Sequence, residues 1–190
     1  MIRRAVLQCI LGVVVASAAL SGCQSDTARG PGASPGPLAS QAGKFRFCVP
    51  GTANSDWSIG SLWLVNPGPE TLTLDSVEIG GLYGATLLGT ATVPRLGMAL
   101  FAAPGFPTDG STGEQLDWTR QTPAAGSQVP PNDDQIPPQV IIGLHVGESD
   151  AGFENVTVKY HDSKETYDLP IESKVQLAVS GPCQEATTGI

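Results

Sequence analysis

Val140-Ile141-Ile142-Gly143-Leu144-His145-Val146 and, a few residues on, Val156-Thr157-Val158-Lys159-Tyr160-His161 decide the fold. In both, large apolar side chains recur at every second position: Val140, Ile142, Leu144 and Val146, then Val156, Val158 and Tyr160. A period of two is the pattern of a β-strand with one face in a core. His145 and His161 fall on the opposite parity and are expected to face solvent.

The same pattern extends in both directions. Downstream, Tyr167, Leu169, Ile171, Val175, Leu177 and Val179 share one parity. Upstream, Phe45, Phe47 and Val49 alternate with other residues, and residues 60–66 are apolar on both parities, as in a strand buried on both faces. Asn66-Pro67-Gly68-Pro69 is a turn signal. Leu72 and Leu74 are followed by Val77 and Ile79, so the parity slips at Asp75-Ser76 and predicts a β-bulge there. Residues 84–93 form a Gly/Thr-rich strand ending at Pro94, and 96–102 form another. Outside the N-terminal segment there is no amphipathic helix and no internal repeat. Several short strands separated by turns predict an all-β, antiparallel, immunoglobulin-like β-sandwich over residues 44–184, with a closed barrel as the alternative. Residues 103–138 make a long Pro/Gly-rich connection, of the kind that is usually functional or disordered. Residues 185–190 are expected to be a disordered tail.

The N-terminus has its own grammar. Arg3 and Arg4 precede an apolar run over residues 5–19, too short to span a bilayer comfortably as a permanent helix. It ends in Leu20-Ser21-Gly22-Cys23, which resembles the lipobox of bacterial lipoproteins. That resemblance implies a signal peptide over 1–22, cleavage before Cys23, and acyl chains on Cys23. Two acyl chains suffice for stable anchoring, so the expected address is the extracytoplasmic face of the cell membrane, lipid-anchored. Residues 23–43 would then be the lipidated N-terminus and a flexible Gly/Pro/Ser/Ala-rich linker.

Charge narrows the partners. The whole chain carries −8, and removing the signal takes Arg3 and Arg4 and no acid with it. An acidic, aromatic-poor chain without a basic cluster predicts no nucleic-acid binding and no electrostatic attachment to anionic lipids. The lipid would anchor it alone. Of four cysteines, Cys9 lies in the signal and Cys23 is the lipidation site. Cys48 and Cys183 remain, in an oxidising compartment. They are expected to form a disulfide tying the first strand of the sandwich to the chain after the last.

Motifs for chemistry are sparse. Gly32-Ala33-Ser34-Pro35-Gly36 matches the nucleophile-elbow pattern, but that turn needs a strand before it and a helix after it. The two histidines lack a third ligand at obvious spacing. Asp133-Asp134 and Glu148, Asp150 and Glu154 do not fit an EF-hand loop and read as solvated charge. No phosphate-binding glycine loop and no nucleophile–base pair stands out. Neither a catalytic residue nor a metal or cofactor is therefore expected. Trp118-Thr119-Arg120 pairs an aromatic with a cation, the types favoured at binding hot spots, so Trp118 and Arg120 are the candidate partner-binding residues. The competing expectation is that Trp118 folds back onto the core.

The stretch from Trp118 through Pro131, with Val140-Ile141-Ile142-Gly143-Leu144 and Val156-Thr157-Val158-Lys159-Tyr160, resembles a group of uncharacterised secreted actinobacterial proteins with a small β-sandwich. The resemblance covers roughly the C-terminal half and implies fold and export, not an activity. The expected function is a non-enzymatic binding or structural module of the cell envelope, with a protein or polymer partner. The alternative is an accessory subunit, or a ligand or metal carrier, for a membrane complex.

Overall fold

A computed structural model describes residues 36–40, 44–94, 101–108, 118–131 and 138–183. The strands, in chain order, are β1 (Ala39–Ser40), β2 (Phe45–Pro50), β3 (Ser55–Val65), β4 (Leu72–Gly80), β5 (Ala85–Val93), β6 (Phe101–Pro104), β7 (Thr122–Pro123), β8 (Gln128–Val129), β9 (Gln139–Val146), β10 (Ala151–His161) and β11 (Thr166–Ala178). One turn of 3-10 helix, Trp118–Arg120, precedes β7.

Two sheets form the sandwich. One runs β1-β3-β9-β5-β7, with β6 also on β3, and the other runs β2-β11-β10-β4-β8. The barrel alternative does not apply, because neither sheet closes on itself. Pairing is antiparallel with one correction to the expectation: β2 runs parallel to β11, Phe45 opposite Ser173 and Pro50 opposite Ala178. The first and last long strands of that sheet are neighbours, and a parallel pair needs only that a long connection lie between them.

The alternation fixes the core. Val140, Ile142, Leu144 and Val146 face Val156, Val158 and Tyr160 across the sandwich, all buried together. Residues of one parity are thereby removed from water, and each large aliphatic contributes roughly 1.5–3 kcal/mol. The parity slip near Asp75 is a bulge: Lys159 pairs with Ser76 and Tyr160 with Leu74, so Asp75 has no opposite number. Asn66 organises the turn that follows β3. Its side-chain amide donates to the carbonyls of Glu70 at 2.7 Å and Val129 at 3.0 Å, while its oxygen accepts from the Gly68 N–H at 3.0 Å.

The outer face of β9 is covered as well. Ile141 and Val93 are buried there, with Phe106 and Trp118 packed against them. Gly143 is the reason Phe106 fits. A methyl group at that position would collide with the Phe106 ring, so the ring lies directly on the backbone. The alternation in β9 predicts one buried face, but the strand is covered on both, by the opposite sheet and by the long connection.

The tether expected over residues 23–43 enters the fold earlier than its composition suggests. Leu38 is buried, and Ala39–Ser40 pairs with Leu64 and Val65. Gly36 sits so close to Tyr160 and Tyr167 that no side chain would fit. Two strand pairings and one buried leucine outweigh a flexible composition. Cys23, residues 96–100 of the predicted 96–102 strand, Asp133-Asp134 and the 185–190 tail lie outside the described residues.

Candidate functional site

The strap formed by residues 118–131 is built from local chemistry. It leaves the outer face at Trp118, pairs Thr122 and Pro123 with Thr92 and Ala91 of β5, then pairs Gln128 and Val129 with Thr73 and Leu72 of β4. It therefore joins the edge strands of both sheets. Backbone bonds fix the crossing: the Ala124 N–H donates to the Thr90 carbonyl at 3.0 Å, and the Gly126 N–H to the Leu74 carbonyl at 2.8 Å. Ala125 and Gly126 turn the chain between the two pairings, closed by the Ser127 N–H donating to the Ala124 carbonyl at 3.1 Å, with Ala124 fully buried.

Three hydroxyls knot the crossing. Thr92 Oγ1 lies 2.6 Å from Ser127 Oγ and 2.9 Å from Thr122 Oγ1. Ser127 donates its own proton to the Pro123 carbonyl at 2.7 Å. Beside this knot opens a shallow cleft of about 570 Å³, bordered by Arg120, Gln128, Ser127, Pro94 and Pro138. A second hollow of about 280 Å³ lies on the outer face, bordered by Phe106, Pro107, Gln121 and Gly89. The Gln121 Oε1 is buried with no hydrogen-bond partner among the described residues. A buried acceptor without a partner favours a ligand that brings a donor.

Of the candidate partner-binding pair, Trp118 is half-buried against Val93 and Ile141, while Arg120 is exposed at the rim of the larger cleft. Trp118 covers the outer face of one sheet, not an end of the core between the sheets. The strap's β8 end meets Leu72, and Tyr160 pairs with the nearby Leu74. Leu38 donates its backbone N–H to the Tyr160 hydroxyl at 3.1 Å. The strap and the entry of the N-terminal segment therefore share one end of the sandwich.

Cys48 and Cys183 form the expected disulfide, with Cα atoms 5.6 Å apart and 135 residues between them in sequence. Both histidines are on outer faces, as their parity predicts. His145 Nδ1 lies 2.7 Å from Asp56 Oδ1, its neighbour across β3, and His161 Nδ1 lies 2.7 Å from Asp75 Oδ1 on the bulge. Neither imidazole is hydrogen-bonded to a hydroxyl among the described residues, so neither pair extends to a nucleophile. Among those residues no group of three His, Cys, Asp or Glu is placed to hold a metal.

The acids at 148–154 do more than solvate a loop. Asp150 accepts from the N–H of Val179 at 2.8 Å and from the N–H and hydroxyl of Ser180 at 3.0 Å each. These bonds, the Ser180 N–H foremost, hold its carboxyl below its ordinary pKa. Asp162 does the same at the other end, accepting from Glu165 and Lys164 N–H groups and from the Tyr167 hydroxyl. Its pKa is lowered, chiefly by the Glu165 and Lys164 N–H groups, and that of Tyr167 is pushed up to about 12, chiefly by its bond to Asp162. Sequence reading missed both turn-holding aspartates and the hydroxyl knot, since Asp, Ser and Thr are commonplace in loops and only the fold brings their partners close. The Asp162-Ser163-Lys164-Glu165 run is the one signal that could have been read, as an Asx turn.

No family model and no curated protein matches the chain. Among solved structures, the ASH / PapD-like domain of human CEP192 (PapD-like domain 7) is similar, with 11% sequence identity over 86% of this chain and 98% of that one, and a TM-score of 0.37.

Proposed function

We propose that this chain is a lipid-anchored, extracytoplasmic module that binds a protein or polymer of the cell envelope without catalysing a reaction. The observation that carries the reading is the Leu20-Ser21-Gly22-Cys23 sequence followed so soon by ordered chain at Gly36. About a dozen residues separate Cys23 from Gly36, a reach of roughly 45 Å at full extension. A sandwich held that close to a bilayer meets partners in or on the same membrane. The strap, with Arg120 at its rim and a cleft beside a hydroxyl knot, lies at the tethered end and supports it as the contact surface.

The Cys48–Cys183 bond supports the export half of the reading, since such a bond persists in oxidising compartments. The experiment is a photo-crosslinking residue at Arg120 in cells, followed by mass spectrometry, with the same residue at the exposed Glu172 as control. One defined partner captured from position 120 and not from 172 is the expected result. Capture from neither position, or the same proteins from both, contradicts a binding role for the strap.

A further inference from the structure

We infer that the open half of β5 is a self-association edge, taking a second copy of this chain by antiparallel strand pairing. β5 is paired on one side by β9 along its length, but on the other side β7 meets only Ala91 and Thr92. From residue 85 to 89 that second side has no strand among the described residues. A strand's N–H and C=O groups point alternately to its two sides, so this half has outward backbone groups with no strand on them among the described residues, the kind of edge that accepts another strand.

Side chains mark the same stretch. Among the described residues, the large hydrophobic side chains left exposed are Tyr83, Leu87 and Leu88, at 38%, 39% and 44%. Leu87 pairs with Leu144 and Gly89 with Gly143, so Leu88 is an extra, bulged residue. The bulge tips two adjacent leucines toward water where a regular strand would show one. Leu87 is on the inner parity and still 39% exposed, which puts the mouth of the sandwich beside it. A strand added here would extend the sheet and cover that mouth.

Charge selects the occupant. No charged residue occurs from Gly81 to Pro94, in a chain of net charge −8. Two copies of this edge can therefore face each other without opposing acids. The open edges of the other sheet do not allow this. The unpaired half of β4 carries Asp75 and Glu78, and the edge strand β2 carries Arg46 and ends at Pro50, the residues by which exposed edges resist pairing. Antiparallel pairing of identical segments is two-fold symmetric, so each Leu87-Leu88 pair meets its own counterpart. The two sandwiches would join at the ends remote from Leu38 and Tyr160. If the chain is lipid-anchored, as proposed above, the tethers then leave from opposite ends and the pair lies along the membrane.

The test exploits the cysteine inventory. With Cys48 and Cys183 joined and Cys23 acylated, one added cysteine is the sole free thiol of the mature chain. The full chain carrying Leu88→Cys, Leu87→Cys or, as control, Glu172→Cys is expressed in cells, treated with a mild oxidant and run on non-reducing gels. The yield is scored in whichever fraction holds the protein, so failure of the anchor and failure of the pairing are read separately. Protection of Cys48 and Cys183 from alkylation confirms that each variant is folded. The expected result is a covalent homodimer at 87 or 88 in yield on the order of ten-fold above that at 172, as pre-association raises the effective thiol concentration. Adding Leu87→Lys to the Leu88→Cys chain should abolish that excess. Dimer yields at 87 and 88 no higher than at 172, or an excess that survives Leu87→Lys, would overturn the inference.

Discussion

The backbone N–H of Leu38 donates to the hydroxyl of Tyr160 across 122 residues of sequence, at 3.1 Å. Tyr160 is itself stacked on Tyr167, ring centroids 5.2 Å apart, and Tyr167 is held by Asp162. The segment leading back to Cys23 is thus fastened to the turn between β10 and β11. Tyr160→Phe removes one oxygen and leaves a buried N–H without its partner, which costs about 1–3 kcal/mol. The expected signature is local: faster amide exchange at Leu38 and quicker proteolysis near residues 36–40, with the sandwich melting as one unit. Unchanged exchange at Leu38 would mean the bond does not hold the segment.

The Cys48–Cys183 bond closes a loop of 135 residues. In the chain-entropy account a loop of that length is worth about 5 kcal/mol. A Cys48→Ala, Cys183→Ala chain should lose a large part of that in denaturant unfolding, and reductant should lower wild-type stability to the same level.

Stability should depend on pH at both extremes. Asp162 has its pKa lowered, chiefly by the Glu165 and Lys164 N–H groups. Its contribution is therefore present above the ordinary aspartate value near 4 and is lost as pH falls through the folded value. Tyr167, raised to about 12, contributes below the ordinary tyrosine value near 10 and loses that contribution as pH rises toward 12. In thermal melts, Asp162→Asn should lie well below wild type at neutral pH and converge with it in acid. In the same variant the Tyr167 phenolate should appear at lower pH by absorbance. A melting difference independent of pH would contradict the assigned hydrogen bonds.

Trp118 packs with Phe106 over Val93 and Ile141. Trp118→Ala should expose that face and cost about 1–3 kcal/mol, a melting-temperature loss of several degrees. Arg120→Ala, at the exposed rim, should lower the melting temperature clearly less than Trp118→Ala, since exposed polar contacts contribute little. Equal effects of the two would mean that Trp118 does not cover the sheet.

The β9 and β10 segments were legible because burial of one face imposes a period of two, and even the bulge at Asp75 showed as a slipped parity. The docking of Leu38 was not, since Gly36, Pro37 and Ser40 have the composition of a linker and only Tyr160, far away in sequence, decides otherwise. The parallel partnership of β2 with β11 left no trace either. Alternation in Phe45, Phe47 and Val49 reports a buried face, not the direction of the neighbour. Of the candidate site, Trp118 and Arg120 stood out by residue type. The knot of Thr92, Thr122 and Ser127 exists only once β5 and the strap meet.

The central claim is attachment through Cys23, and membrane fractionation of a Cys23→Ser chain tests it most directly. Wild type should stay with the membranes through a high-salt wash, because an acidic chain has no electrostatic hold on anionic lipid for salt to screen. Cys23→Ser should move to the soluble fraction with its Cys48–Cys183 bond intact. A Cys23→Ser chain that still pellets with the membranes after that wash would contradict the account.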